Sequence, residues 1–263
     1  VVQRRLGGGL ELTAMMAGVS GMGTSVCIVR RRTSGISLDQ WTVGGRMPRV
    51  AASVLTALVT SRRRLMVVAE RQQEAQELAI ALAAQASLDD AVLVLGNPDA
   101  AIALGPRVVS AFWAAVEPSV SADVLWKMAP IVLAHLSSSA NASRVLLGAV
   151  EGGEGLIASY AAPSALRAVN SLSAALTAGA GNLPWSAAGA LIASAFDAVV
   201  EIVGAGTQGV RLVRIAEPVL DAAGSLALRD VVRSESDGHV TVERHAPLLA
   251  ELMLRGVSLD LSG

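Results

Sequence analysis

The sequence predicts an α/β fold in which a parallel-rich sheet is covered by helices on both faces. Short, continuous apolar runs of strand length alternate with longer amphipathic segments, which is the pattern of parallel strands joined by crossover helices. The chain has 263 residues, of which 52% are hydrophobic and only 3% aromatic. Its core must therefore be built from Ala, Val and Leu, which suits helices packed closely on a sheet.

The first part of the chain differs from the rest. Residues 1–32 have the pattern of short strands separated by glycine turns, with residues 26–29 as the clearest strand. A short linker, residues 33–35, follows. A helical region then begins at Ser37 and continues through residues 51–60.

The middle of the chain carries the alternation. Its apolar runs predict strands, and its periodic segments predict helices with one apolar stripe, such as Ala75, Leu78, Ala79 and Leu82 at helical spacing. The predicted strands are residues 65–69, 92–95, 108–116 and 145–148, and the predicted helices are residues 72–85 and 123–136.

The final third predicts a paired set of helices followed by more strands. Pro184 is well placed as the first residue of its helix. The predicted helices are residues 164–177, 184–195 and 246–254, and the predicted strands are residues 198–203, 210–216 and 238–242.

Composition limits the function. The formal net charge is −1, so no global basic field favours nucleic acid or an anionic membrane. Cys27 is the only cysteine, which rules out an internal disulfide and Cys-rich zinc sites. Residues 168–196 carry no charge, but their Asn, Gly, Ser and Pro residues favour two buried helices over a membrane span. The first residues show no signal peptide pattern, so we expect a cytoplasmic protein without a transmembrane segment. The chain starts at Val1 without a methionine, as a fragment would.

Three segments resemble the CpaF/TadA-type ATPases of type II/IV secretion systems and Tad pili. Residues 145–154, VLLGAVEGGE, resemble the family's Walker B segment, an apolar run followed by GEVRGGE. Residues 183–184 and 192–200 are similar to its LP…IASAIDLIV segment, and residues 211–219 to its RRVTSITEV segment. The strand before Arg30 and the later Ser-Leu-Asp also resemble the end of the family's N-terminal domain and its LTLDDL linker.

The resemblance implies a RecA-like P-loop NTPase-type domain over residues 37–263. Residues 1–36 would then be the end of a small N-terminal α+β domain and its linker. Members of the family work as ring hexamers, so the resemblance also implies a homo- or hetero-oligomer.

The phosphate-binding positions implied by the resemblance have lost their chemistry. A P-loop wraps phosphates with backbone N–H groups of a glycine-rich loop and reaches them with a lysine. Aligned with the family, that loop is residues 69–77, which contain no glycine, and Ala75 stands at the lysine position. Glu70, Glu74 and Glu77 would repel a triphosphate. Because Lys127 is the only lysine and lies in a Trp-Lys-Met sequence, no Gly-Lys-Ser/Thr motif exists anywhere in the chain.

The other family positions point the same way. By the resemblance, Ala149 replaces the Walker B glutamate and Glu151 replaces an arginine. Of the acidic segment after the second strand only Asp99 remains, and a single exposed Asp is more often a helix cap. Residues 159–163 lie where the family has a histidine, and they contain none.

Other candidate sites in the sequence have simpler explanations. Residues 18–25, GVSGMGTS, have P-loop spacing with threonine in place of lysine, but they precede a strand, as a glycine-rich hairpin turn would. His135, His239 and His245 are too far apart for metal-ligand spacing. The arginine runs 30–32 and 62–64 are predicted to be solvated ends of strands, with contact to an acidic partner as the alternative.

These observations favour a pseudo-ATPase: a catalytically inactive secretion or pilus ATPase homologue that acts as a structural or regulatory subunit of a Tad-like pilus or type II/IV secretion machine. We expect no catalytic, cofactor-binding or metal-binding residue. The expected partners are a genuine CpaF-like ATPase, inner-membrane platform proteins or both, which would place the chain in the cytoplasm or at the inner membrane. Two alternatives stay open: an active nucleotide-binding ATPase with a non-standard loop at residues 18–25, and a standalone regulator that kept the fold.

Overall fold

The computed structural model describes residues 2–6, 10–15, 25–30, 37–95, 104, 108–111, 123–136, 139–179, 183–204, 209–235 and 237–261. Contacts divide the chain into two compact units, Val1–Gly35 and Ile36–Gly263. The first contains a three-stranded antiparallel sheet in the order β1-β2-β3. Its strands are β1 (Val2–Leu6), β2 (Leu10–Met15) and β3 (Ser25–Arg30).

The second unit contains a nine-stranded sheet in the order β12-β11-β10-β9-β4-β8-β7-β5-β6. Its strands are β4 (Arg64–Ala69), β5 (Val92–Leu95), β6 (Val108–Ala111), β7 (Ile131–His135), β8 (Gly155–Ala161), β9 (Ala198–Gly204), β10 (Val210–Leu220), β11 (Leu226–Ser234) and β12 (Val240–Val242). Its helices are α1 (Leu38–Val43), α2 (Arg49–Thr60), α3 (Gln72–Ala83), α4 (Asp123–Met128), α5 (Ser139–Val150), α6 (Ala165–Gly179), α7 (Trp185–Ala195) and α8 (Pro247–Leu254).

The six strands from β9 to β6 run parallel, and β10, β11 and β12 extend the sheet with antiparallel pairs. This arrangement confirms the predicted α/β class with its parallel-rich central sheet. Alternate side chains of β4 enter two separate cores: Leu65 and Val67 pack with α1, α2, α3 and α8, whereas Met66 and Val68 pack with α5, α6 and α7. Every residue from Leu65 to Ala69 is buried, as a continuous apolar run predicts for a strand covered on both faces.

One predicted strand is wrong. Residues 145–148 lie in helix α5, because Ala142, Val145, Leu146 and Ala149 have helical spacing and are all at most 1% exposed, whereas Leu147 is 45% exposed. The predicted helix at residues 123–136 is wrong in its second half, where the apolar residues after Pro130 form strand β7. The sequence prediction also missed β8 and β11. It placed strand 108–116 correctly over Val108–Ala111, and residues 112–116 lie outside the described part of the chain.

The remaining elements agree with the sequence. The uncharged segment 168–196 forms most of α6 and α7, with α6 ending at Gly179 and α7 beginning at Trp185. Within the described residues, no helix combines the length and the apolar character that crossing a membrane requires.

The arginine run 62–64 forms ion pairs inside the second unit. Arg62 pairs with Asp90 at 2.8 Å and with Glu154 at 2.5 Å. Arg63 lies 2.5 Å from Glu251, and Arg64 donates to the carbonyl of Ala149 at 2.9 Å. These guanidinium groups are therefore occupied within the fold, which argues against the alternative that they contact an acidic partner.

Asp197 joins the start of β4 to the start of β9. Its carboxylate accepts hydrogen bonds from the backbone N–H of Arg64 at 2.8 Å and from the Nε of Arg64 at 3.3 Å, and it lies 3.6 Å from Arg63 Nη1. The backbone N–H of Asp197 donates to the carbonyl of Arg64 at 2.8 Å. One carboxylate thus compensates two largely buried arginines at the start of the central strand β4.

We expect Asp197→Ala to lower the free energy of unfolding by about 2–4 kcal/mol, because it leaves two partly buried guanidinium groups without their shared partner. Urea denaturation monitored by circular dichroism would measure the loss. Asp89→Ala is the matched control, since the Asp89 side chain is exposed, and it should change stability by less than about 0.5 kcal/mol. Equal stability of the Asp197 variant and the wild type would contradict this account of the sheet.

Candidate functional site

The candidate site of this sheet is the edge where its parallel strands end. In open α/β sheets, ligands bind outside the carboxyl ends of the strands, because the loops there converge and backbone N–H groups face the crevice. In this chain the edge is formed by the ends of β4, β8, β7 and β5, at Ala69, Ala161, His135 and Leu95. The side chains and loops at this edge therefore decide what the fold can bind there.

The connection between β4 and α3 is too short to wrap a phosphate. Strand β4 ends at Ala69 and α3 begins at Gln72, so only Glu70 and Arg71 join them. The intrahelical bonding begins at once, with the N–H groups of Glu74 and Ala75 donating to the Arg71 carbonyl at 3.1 and 3.3 Å. Most of the segment aligned with a phosphate loop is thus regular helix, and from Glu74 onward its N–H groups are engaged in helical hydrogen bonds.

The side chains at this connection are unsuitable for an anion. Ala75, at the position where the resemblance places a lysine, is a fully buried residue of α3. Glu70 is exposed and Glu74 half-buried. Arg71 is the one cation of this turn, and its guanidinium lies 3.8 Å from Glu74 while its side chain is 81% exposed. Negative charge therefore dominates the start of α3.

The segment assigned to Walker B does not lie at the carboxyl edge. Ala149 is buried within α5, and Glu151 follows the end of that helix. Because β8 begins at Gly155, the turn between them sits at the opposite, amino edge of the sheet. A Cβ on Gly153 would lie 2.5 Å from the Trp126 ring, so this glycine is required for close packing. Gly153 thus has a structural explanation.

The described carboxyl edge instead brings together His135 and Ser159, a pair that sequence reasoning missed. The two residues are register partners of β7 and β8, and His135 Nδ1 lies 3.1 Å from Ser159 Oγ. Ser159 is 2% exposed, and its hydroxyl also lies 3.4 Å from the Ala134 carbonyl. The apolar run after Pro130 indicates a strand that ends at His135, but it does not indicate that Ser159 is the partner.

This pair has no room for a substrate. The cavity beside it has a volume of only about 10 Å³ and is lined by Gln76, Ile80 and Leu95 among other residues. A single water molecule needs about that much space, so the described residues leave no room for a nucleotide in this cavity. Since Ser159 is buried and hydrogen-bonded, the pair is a packed polar contact of the core and not an accessible nucleophile.

The described residues do not bring the other predicted candidates together into one site. Lys127 is an exposed residue of α4, which precedes β7, so it lies at the amino edge of the sheet. His239 and His245 are exposed, and the described residues contain no group of three or more His, Cys, Asp or Glu side chains that could hold a metal ion. Asp99 and, except for Ser25, the glycine-rich segment 18–25 lie outside the described residues.

Burial lowers the pKa of His135 from its ordinary value of 6.5, and the hydrogen bond with Ser159 opposes this shift more weakly. The imidazole is therefore neutral at pH 7. Burial likewise raises the pKa of Tyr160, which follows Ser159 in β8, so its phenol is also neutral. Neither residue brings a charge to the carboxyl edge.

We expect stability to fall as the pH drops from about 7.5 to 5.5. The unfolded chain protonates His135 near pH 6.5, whereas the folded chain resists protonation, so the histidine's contribution is complete above that pH and declines below it. His135→Gln should flatten this part of the pH dependence in urea unfolding measured at each pH. His239→Gln, which changes an exposed histidine of the same sheet, should leave it unchanged. An unchanged slope in the His135 variant would contradict the buried, neutral state.

Comparisons with known proteins identify the fold. No family model matches the sequence, and no curated protein matches it. Among solved structures, the VirB11 ATPase of the Brucella suis type IV secretion system, in complex with sulphate, aligns with a TM-score of 0.55 at 18% identity, covering 81% of this chain and 75% of its own. The Legionella pneumophila ATPase DotB aligns with a TM-score of 0.53 at 10% identity, covering 97% of this chain.

The pilus retraction motor PilT with bound ADP aligns with a TM-score of 0.50 at 8% identity, covering 95% of this chain and 68% of the PilT chain. The chain spans only 64% of the DotB chain. Identities this low establish the fold and no activity. The chain therefore has the RecA-like α/β fold of these secretion and pilus ATPases.

Proposed function

We propose that this chain is a catalytically inactive homologue of the secretion and pilus ATPases, and that it acts as a structural or regulatory subunit of a Tad-like pilus or related type II/IV secretion machine. The observation that carries the proposal is the Glu70–Arg71 connection, which joins the central strand to α3 with no phosphate loop between them. The described end of the central strand thus lacks the loop that holds the nucleotide in P-loop enzymes.

Loss of the lysine supports the same conclusion. In P-loop enzymes a lysine after the loop neutralises the charge of the β- and γ-phosphates. Without this lysine, the negative charge of the triphosphate is not compensated and binding is weakened. The only lysine of this chain precedes β7 at the amino edge, and the described carboxyl edge presents Glu70 and Glu74 instead. Electrostatics at this edge therefore disfavour Mg-ATP.

The ends of β7 and β8 also lack the groups that would activate water. Hydrolysis requires a carboxylate or a similar group to position the attacking water and to support Mg²⁺. At the end of β7 stands His135, which is neutral and bonded to Ser159, and at the end of β8 stands Ala161. Neither can replace such a carboxylate.

The apolar framework, by contrast, is complete. Both faces of the central sheet are covered by helices, and the buried side chains of each face form a continuous cluster. A sequence that keeps its core and loses its site is the pattern of a scaffold whose surfaces are used. A formal net charge of −1 gives little repulsion between copies or partners. We therefore propose a cytoplasmic subunit, free or at the inner membrane, that contacts a genuine CpaF-like ATPase or the membrane platform.

The glycine-rich segment 18–25 carries the rival proposal of an active ATPase with an unusual loop. Its spacing is that of a P-loop, but threonine replaces the lysine, and the segment leads into strand β3 instead of a helix. A third candidate, a standalone regulator, would keep the fold without any secretion partner. Neighbouring genes distinguish it, since pilus genes beside this one favour the subunit role.

We expect no heat above dilution when Mg-ATP is titrated into the protein at millimolar concentration, and no release of phosphate, because the described carboxyl edge presents Glu70 and Glu74 and no lysine to the triphosphate. Calorimetry and a phosphate-release assay measure both. A Kd in the micromolar range would contradict the proposal. Replacing Gly21 and Gly23 by alanine would then decide whether segment 18–25 binds the nucleotide, and Lys127→Ala would test the only lysine.

We expect the chain to form a complex of defined mass when it is co-expressed with the ATPase or platform protein of its own gene cluster. A stable interface of this kind buries about 1,200–2,000 Å². In a mixed ring the chain would occupy positions without hydrolysing ATP and so set the stoichiometry. Light scattering after size-exclusion chromatography gives the mass. A chain that remains monomeric alone and with every cluster partner would refute the subunit role.

A further inference from the structure

A groove of about 890 Å³ runs along β12, the last strand of the large sheet. One wall is β12 itself, and the other is formed by the start of α2 at Pro48, Arg49 and Val50, together with Asp260 and Leu261 near the end of the chain. Three strands separate β12 from β4 at the centre of the sheet, so the groove is distinct from the carboxyl edge described above.

The strand that borders this groove has an open hydrogen-bonding edge. The carbonyl of His239 accepts from the N–H of Glu235 at 2.8 Å, and the N–H of Glu243 also donates to β11, at 2.9 Å. Bonded residues alternate along an antiparallel strand, so the backbone groups of Val240 and Val242 face away from β11 and toward the groove. Such an edge accepts a further strand through N–H and C=O groups that are already aligned.

The floor of the groove is apolar. Val240, Val242 and Leu261 are half-buried and pack against the core cluster that contains Ala51 and Val54, and the buried Val50 also lines the groove. A strand added to β12 would place every second side chain over this floor, because side chains alternate between the faces of a sheet. Apolar residues at alternate positions are therefore the side chains that the groove favours.

The rim of the groove is basic. Arg49 and Arg244 line it and are exposed. Among the described residues neither arginine has an ion-pair partner, in contrast to Arg62, Arg63 and Arg64. The lining contains one carboxylate, Asp260, so two arginines face one aspartate. Acidic side chains on an added strand would form ion pairs with these arginines at little cost in free energy, since the arginines lose no existing ion-pair partner.

We infer that this groove is a docking site for an extended segment of a partner protein in which acidic residues alternate with apolar residues, and that the segment binds by adding a strand to β12. Backbone hydrogen bonds to Val240 and Val242 would supply affinity, and the apolar floor and the arginine rim would supply selectivity. The inference rests on β12 and α2, so it does not depend on the loss of ATP chemistry and can fail without affecting that proposal.

The test uses the full chain and a short acetylated peptide of alternating valine and glutamate. We expect the peptide to slow hydrogen exchange at the amides of Val240 and Val242, which face outward, and to leave the amide of Thr241, which already bonds β11, unchanged. Val240→Pro removes an outward N–H and should weaken binding at least about tenfold, whereas Thr241→Ala on the exposed face should not. A peptide N-methylated at the amides facing β12 provides the same test with the protein unaltered.

Charge is tested separately. Arg244→Glu and Arg49→Glu should each weaken peptide binding and reduce its dependence on salt, while Arg167→Glu, on helix α6, should change neither. Three results would overturn the inference: no protection at Val240 and Val242 at millimolar peptide, equal binding by the N-methylated peptide, or equal binding by the Arg49 and Arg244 variants. If the free chain has twice its expected mass and Val240→Pro restores the single mass, a second copy of the chain occupies the edge of β12. That result would also overturn the inference.

Discussion

The burial of β4 on both faces is the constraint on which the rest of the fold depends. The strand is hydrogen-bonded to β8 on one side and β9 on the other, and its side chains alternate between two separate cores. Its start is fixed by Asp197, which binds the backbone of Arg64. Its end passes into α3 after Glu70 and Arg71, so the helix packs directly on the strand that precedes it. A central strand held in this way can keep an ATPase-like architecture stable while its carboxyl edge changes freely.

The chemistry of that edge follows from the same arrangement. The short connection places Ala75 in the core, where a lysine would be costly to bury, and it leaves acidic side chains outside. At the end of β7, the space beside His135 is filled by α3 and β8. Among the described residues, the edge beside His135 is therefore closely packed, and the start of α3 is acidic.

Sequence patterns predicted the fold class because the strands around β4 and the helices α3, α6 and α7 have clear periodicity. They failed at residues 145–148, where four apolar residues in a row resemble a buried strand, although Ala142 and Ala149 complete a helical stripe around them. That error moved the expected Walker B position to the wrong edge of the sheet. The His135–Ser159 pair could not be predicted, because it depends on the register of β7 and β8. The β12 groove depends on tertiary contacts between distant segments, which periodicity does not report.

The proposed inactivity requires that the end of β4 hold no phosphate. The backbone N–H groups of Gln72 and Gln73 open α3 at this point, ahead of the first intrahelical bonds, so any anion held here must perturb them. Their amide chemical shifts, followed by NMR during separate titrations with Mg-ATP and with inorganic phosphate, test the claim directly. We expect both resonances to stay unchanged up to millimolar ligand. A saturable shift of either amide with Mg-ATP would contradict it.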